Sequence, residues 1–191
     1  MQLEKGVLFM ALEIGVDLAD VGDVPEIARI MDEAYRQMEC KDWFCTDDAP
    51  FLERHVRDEG FILKAAAEDV IAGFLVVRYP GSAPDNLGRY LGLSDDDLGL
   101  TAHMESAAVQ SSYRGHGIQK RLMEEAESLL RRQGYRYLMG TAHPDNIYSV
   151  NNFLRLGYEV AGEDMKYGGL PRYIFCRRIS FVTIHGSGGR S

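Results

Sequence analysis

The stretch Val109-Gln110-Ser111-Ser112-Tyr113-Arg114-Gly115-His116-Gly117-Ile118-Gln119 joins an expected strand to the strongest helical pattern in the chain. Gly115 and Gly117 let the backbone turn tightly and bring its N–H groups close to a ligand. A helix start adds N–H donors without intrahelical partners and a partial positive charge. An anion, above all a phosphate, fits such a place. The surrounding charges agree. First helical turns favour Asp and Glu, yet Arg114, His116, Lys120 and Arg121 cluster here and no acid appears before Glu124. Cations at a positive helix end cost stability unless an anion offsets them. The competing reading is a glycine-rich turn with solvated basic side chains, because a lone Gly-x-Gly is a weak signal. A P-loop is excluded, since no Gly-Lys-Ser/Thr follows. The third glycine of a dinucleotide fingerprint would fall at Lys120, which excludes that motif as well.

Two motifs carry a family resemblance. Tyr113-Arg114-Gly115-His116-Gly117-Ile118 looks like the pyrophosphate loop of the GNAT N-acetyltransferase superfamily, Gln/Arg-x-x-Gly-x-Gly/Ala. Downstream, Asn146-x-x-Ser149-x-x-x-Phe153-x-x-x-Gly157-Tyr158 resembles that family's Asn-x-x-Ala-x-x-x-Tyr-x-x-x-Gly-Phe helix. The resemblance covers Val7 to Ile179. It implies an α/β, GNAT-like fold: a mixed central β-sheet splayed between strands 4 and 5, with helices on both faces. It also implies acetyl-CoA as cosubstrate, its pantetheine arm lying in the splay. Backbone N–H groups of Ala107 and Val109 would then hold the acetyl and pantetheine end. Arg114, Gly115, His116, Gly117 and Ile118 would hold the pyrophosphate, and Asn146 would contact the arm. The sequence departs from the pattern at Ser111 in place of Pro and at Gln119 in place of the second Gly or Ala. It departs again at Phe153, where many members carry a tyrosine that protonates the leaving thiolate.

The implied reaction transfers an acetyl group to an amine, either a small molecule or a peptide, by direct attack of the deprotonated amine on the thioester. Such a reaction needs a proton acceptor. In Thr101 to Val109, period-two alternation places His103, Glu105 and Ala107 on one face. Glu105 therefore lies near the thioester and is the candidate catalytic base, with a pKa raised by a partly apolar setting. The competing reading is a structural carboxylate. His103 has a suitable ordinary pKa near ~6.5 but lies farther along the strand. His143, before Pro144, reads as a turn-former. Trp43, Phe44 and Tyr79 form a candidate aromatic wall for the acceptor, Asp95-Asp96-Asp97 a candidate cation attractor, and Tyr167-Gly168-Gly169-Leu170-Pro171 a turn at the cleft edge. Each also has a core, solvated or purely structural reading. With Phe153 lacking a hydroxyl, solvent or an acceptor-side group supplies the thiolate's proton, and neither Tyr148 nor Tyr158 is the acid.

Two alternatives stand beside this reading: an acyl-CoA-binding sensor with a GNAT-like fold and no turnover, and an enzyme for another phosphate-bearing ligand such as a nucleotide.

The elements that position these groups follow from patterning. Val7 to Val16 reads as the first strand, and Asp23-Val24-Pro25 starts a helix with Asp as its N-cap. Asp48 to Arg57 reads as a second helix. Phe61 to Ala67 and Val70 to Tyr79 pair around the polar turn Glu68-Asp69. Pro80 to Leu100 reads as a long irregular loop, functional or mobile. Ile118 to Arg132 is the best amphipathic helix, stopped by Gly134. Tyr135 to Thr141, Asn146 to Leu156, Tyr158 to Val160 and Arg172 to Phe181 complete the alternation.

The 191 residues fit one domain, assigned to 1–182, with 183–191 a flexible Gly/Ser-rich C-terminal tail. A net charge of −8 argues against nucleic acid and is compatible with a cationic partner. No apolar run reaches the ~20 residues of a membrane span. The N-terminus lacks the pattern of a signal peptide. Cys40, Cys45 and Cys176 share no metal spacing and read as free thiols of a cytoplasmic protein. No metal is expected. A homodimer is compatible with the resemblance, though no sequence feature marks its interface.

Overall fold

The computed structural model of the protein describes residues 13–180. Residues Val7 to Leu12 of the expected first strand, and the tail at 183–191, lie outside the described residues. The strands are β1 (Ile14–Leu18), β2 (Gly60–Ala67), β3 (Val70–Arg78), β4 (Thr101–Val109), β5 (Tyr137–Ala142), β6 (Glu159–Lys166) and β7 (Leu170–Arg178). The helices are α1 (Val24–Gln37), α2 (Ala49–Arg57), α3 (Asp95–Leu98), α4 (Ile118–Arg132) and α5 (Ile147–Arg155). One seven-stranded sheet runs β1-β2-β3-β4-β5-β7-β6. Every neighbouring pair is antiparallel except β4–β5, which is parallel. A parallel pair needs a crossover, and α4 supplies it.

Alternation along the strands feeds two cores. Leu63, Ala65, Leu75, Val77, Ala102 and Met104 meet Ile118, Leu122, Met123, Ala126 and Leu130 of α4 on one face. Phe153 of α5 joins the same cluster. Ile62, Phe74, Val76 and Ala108 meet α1 and α2 on the other face. Burying each large apolar side chain of α4 contributes about 1.5–3 kcal/mol relative to exposure. That is why the five-residue stripe specifies the helix so firmly.

The segment 80–100 is ordered, not a loose loop. Asn86 Nδ2 donates to the carbonyls of Gly81 (2.6 Å) and Leu98 (3.1 Å), and Tyr90 donates to Asp164. Leu87 packs with Met139, Ile174 and Cys176, so this segment covers the sheet beside α1 and α2. The acidic triplet is the first turn of α3, capped by Ser94, and Asp97 lies 3.8 Å from Arg136. Acids are favoured at such a helix start, so the triplet has a structural role of its own. At α1, Asp23 is the N-cap by position but makes no side-chain cap bond. Its carboxylate instead accepts from Lys64 Nζ (2.6 Å) and from the Asp20 N–H (2.8 Å). No helix among the described residues is long and apolar enough to cross a membrane.

Candidate functional site

The glycine loop leads directly into α4. Gly117 occupies the N-cap position at φ 72°, with no side-chain cap, and Gly115 lies at φ 84°. A Cβ at either would meet nothing within 4 Å. Glycine is therefore required by the left-handed backbone and not by crowding. The first N–H groups of α4 are left without a side-chain cap beside exposed loop residues. The basic cluster is less free than its spacing implies. Arg121 Nη2 donates to the Ile14 carbonyl at 2.6 Å, and Lys120 lies 3.6 Å from Glu124. Arg114 reaches back to the Val109 carbonyl (3.3 Å) and to Gln37 (3.4 Å). Ile118 buries its side chain in the core, so only its backbone can face a ligand. Gln119 points away from the loop: its Oε1 accepts from Asn152 Nδ2 at 2.8 Å, linking α4 to α5.

The splay follows from where pairing stops. β4 and β5 pair from Thr101↔Tyr137 to Met104↔Gly140, whereas β4 continues along β3 to Val109. The Gln110 N–H donates to the Ala72 carbonyl at 2.9 Å. By antiparallel alternation Ala108 and Ser106 also address β3. Ala107 and Val109 therefore turn their N–H and C=O groups toward the opening.

The register also shifts once. Val76 pairs with Ser106 and Val77 with Met104, so Glu105 is an extra, bulged residue. Such a bulge re-aims side chains. Strict alternation would place His103, Glu105 and Ala107 on one face. In the structure Ala107 packs against the α4-side core, while His103 and Glu105 stay together on the other face. The bulge is the physical reason, and sequence alone gave no sign of it.

Glu105 sits in a cleft with Arg78, Asp85, His103, Thr141, Lys166 and Tyr167. His103 is 3% exposed and its Nε2 accepts the Leu87 N–H at 3.0 Å. A backbone N–H can only donate, so the ring proton of neutral His103 resides on Nδ1. That Nδ1 faces Glu105 Oε2 at 3.6 Å. Burial pushes the Glu105 carboxyl up, but His103 and the charge of Arg78 outweigh it and hold the group below the usual carboxylate range. This corrects the expectation of a raised value: the setting is half-buried and charged, not apolar. Arg78 is itself held by two bonds to Asp85, 2.8 and 3.0 Å. Behind Glu105, Ser106 Oγ donates to Asp47 at 2.7 Å. Burial, and less strongly the charge of Glu105, push the Asp47 carboxyl up.

The family model for the acetyltransferase (GNAT) family matches residues 25–158. The chain belongs to the GNAT acetyltransferase family. Solved structures share the fold. The ribosomal-protein-S18-alanine N-acetyltransferase of Escherichia coli is 14% identical, with 94% of this chain and 100% of that one covered and a TM-score of 0.68. The ribosomal-protein-alanine N-acetyltransferase of Brucella melitensis is 21% identical, with coverages of 86% and 99% and a TM-score of 0.65. The yncA protein of Salmonella typhimurium, solved with acetyl-CoA, is 17% identical, with coverages of 88% and 95% and a TM-score of 0.67. No curated protein matches the chain.

Within this GNAT fold the remaining expected residues divide. Asn146 caps α5, its Oδ1 accepting the Ser149 N–H at 3.2 Å, which leaves its Nδ2 group as the end able to donate to a ligand. His143 Nδ1 accepts the Asp145 N–H at 3.1 Å, the turn-forming role expected of it. Tyr79 is no part of an acceptor wall. It stacks on Tyr135 at 4.9 Å and donates to Gln133 at 2.7 Å, beside the α4-side core. Phe44 packs against the α1/α2 core. Phe153 lies flat on Phe175, with centroids 4.6 Å apart. Tyr148 is 75% exposed, and Tyr158 is buried with a hydroxyl that has no partner. Arg78, Asp85 and Lys166 escaped the sequence reading. They come from two strands and a connecting segment far apart in the chain, and no motif joins them. Among the described residues no group of His, Cys, Asp and Glu could hold a metal ion.

Proposed function

We propose that the protein is an N-acetyltransferase that moves the acetyl group of acetyl-CoA to an amine, with residues 1–182 acting as one catalytic domain in the cytoplasm. One observation carries this reading. The outward-turned backbone of Ala107 and Val109 leads from a half-buried, ionised Glu105 to the uncapped glycine loop at the start of α4. The spacing suits a ligand with a reactive end and a pyrophosphate end. The N–H groups of Gly115 to Ile118 supply donors for the pyrophosphate, and the open space beside both glycines lets a ligand approach the backbone.

The cleft supports a division of labour. Glu105 stays ionised throughout the neutral range and attracts an ammonium. The ammonium first gives up one proton to water, which frees the nitrogen lone pair; Glu105 then takes the second proton as the neutral amine attacks the thioester carbon and the carbon–sulfur bond breaks. A carboxylate held low is a weak base, so its contribution rests on position and on its negative charge. His103, fixed by the Leu87 N–H, orients the carboxylate. Arg78 and Lys166 balance Glu105 and Asp85 along the cleft, which suits a singly charged or zwitterionic amine better than a polycation.

Release of free thiol from acetyl-CoA over a panel of amines and peptides tests this reading. Amine-dependent release is expected. Binding of acetyl-CoA without release from any amine would favour the sensor instead.

A further inference from the structure

The leaving sulfur has no tyrosine where the family usually supplies one. Phe153 lacks a hydroxyl. The Tyr158 hydroxyl is sealed in the core beside Phe153, with ring centroids 5.0 Å apart. Tyr148 is exposed on α5. A different tyrosine stands at the opening. β4 and β5 part after Met104 and Gly140, so Glu105 is the first residue on one lip and Thr141 the first on the other. The Tyr167 hydroxyl lies 3.2 Å from Thr141 Oγ1. Tyr167 and Glu105 line the same cleft.

We propose that Tyr167 donates a hydrogen bond from the Thr141 lip of the splay to the departing CoA sulfur and keeps its own proton throughout. This rests on the reading of the splay as an acetyl-CoA site.

The turn is built for such a task. Tyr167 adopts φ 51°, a left-handed conformation that is costly for a bulky side chain, and Gly168 and Gly169 continue it at φ 83° and 113°. Strain of this kind persists where surrounding structure imposes it. Beside the turn stands Arg172, 3% exposed, whose guanidinium lies 5.2 Å from the Tyr167 ring centroid. Arg172 is fixed in turn by the carbonyls of Pro171 (2.9 Å) and Asp42 (2.7 Å). A cation against the ring makes the hydroxyl a stronger donor.

The other groups near the phenol are Glu105 from β4, Arg78 from β3, Asp85, His103, Lys166 and Cys45. Tyr167 is 52% exposed as a whole, but its hydroxyl end faces the cleft, where desolvation first and then the charge of Glu105 push it up. An ordinary phenol titrates near ~10 and a thiol near ~8.5, so handing the proton to the thiolate is uphill by about tenfold or more before any effect of the cleft. The hydroxyl therefore steadies the charge without discharging it. In the step, the amine nitrogen bonds to the acyl carbon and the carbon–sulfur electron pair goes to sulfur. The amine proton goes to Glu105, and the thiolate leaves as the anion, to be protonated by water.

Equilibrium binding tests this without an acceptor. The affinities of CoA and desulfo-CoA are measured by calorimetry from pH 7 to 10 on the full chain, on Tyr167→Phe and on Thr141→Val. In the wild type, CoA should gain about tenfold over desulfo-CoA as the thiol ionises, the equivalent of one pKa unit. In Tyr167→Phe the ratio should stay within about twofold, and Thr141→Val should fall between. Unchanged desulfo-CoA binding shows that each variant is folded. An identical rise in Tyr167→Phe overturns the inference while leaving the acetyl-CoA site in place. Failure of both ligands to bind the wild type overturns the site and the inference together. In turnover, Tyr167→Phe should lose about 10²-fold in kcat with the amine KM unchanged. A loss confined to the amine KM would make Tyr167 an acceptor-binding residue and contradict the proposal.

Discussion

The glycine loop before α4 and the cleft around Glu105 are built in opposite ways. The loop is contiguous in sequence, exposed, and works through its backbone. Its two left-handed glycines and the uncapped start of α4 would serve with almost any side chains around them. The cleft is assembled from β3, β4, β5, the 80–100 segment and the β6–β7 turn, and it works through side chains whose states depend on one another. Glu105 is ionised because His103 and Arg78 outweigh its burial, and His103 is oriented because the Leu87 N–H occupies its other nitrogen. Under the proposed reading, cofactor recognition at the loop tolerates side-chain changes that the cleft does not, since one depends on backbone shape and the other on long-range assembly.

That contrast is easiest to break at Glu105. Glu105→Gln keeps the size of the side chain and removes its charge. It should lower kcat by about 10²-fold or more, with acetyl-CoA affinity retained, as read by steady-state kinetics and calorimetry. The pH profile adds a sign. The folded-state pKa of Glu105 is depressed, so the carboxylate remains ionised as pH falls from 8 toward the ordinary range near ~4.3. Any acid limb due to Glu105 belongs below that range. A limb near pH 6 that vanishes in Glu105→Gln would show the carboxyl raised instead.

A second change tests how firmly the core sets the floor of the cleft. A Cβ on Gly140 would lie 2.7 Å from Phe153 Cζ and 3.2 Å from the Met104 carbonyl. Gly140→Ala should therefore destabilise the fold by about 1–3 kcal/mol through overpacking, measured by denaturant unfolding. It should also lower kcat more than acetyl-CoA affinity, because it moves the point where β4 and β5 part.

The smallest effects fall on the tyrosines outside the cleft. Tyr158→Phe removes a buried hydroxyl that has no partner, so stability should stay level or rise by up to about 1 kcal/mol. Tyr148→Phe and Tyr158→Phe should each keep kcat within about tenfold of the wild type. A loss of about 10²-fold in either, with the basic limb of the pH profile abolished, would make that tyrosine the proton donor.

What was legible in the sequence follows the same division. The bounds of β4 and α4 match the expected ranges, because alternation and a five-residue apolar stripe are local signals. The loop was legible because two glycines and the charges beside them are adjacent. The β4 bulge was not, since the extra residue is defined only against the β3 register. The bonds ordering segment 80–100 were equally hidden. Asn86, Arg78–Asp85 and Tyr90–Asp164 join residues with no common spacing. The aromatic wall failed at Tyr79 because one step past Arg78, the last residue of β3, sends a side chain to the other face of the sheet.

The central claim is that acetyl-CoA is held by backbone at the start of α4, and calorimetry of acetyl-CoA on Gly117→Val tests it most directly. A β-branched residue at φ 72° is strained by about 1–3 kcal/mol, and its side chain projects into the open space beside the first N–H groups of the helix. The account predicts that affinity falls by at least about tenfold in a variant whose unfolding transition shows it to be folded, while Glu105→Gln binds as the wild type does. Unchanged acetyl-CoA affinity in folded Gly117→Val would remove the loop from the site and contradict the account.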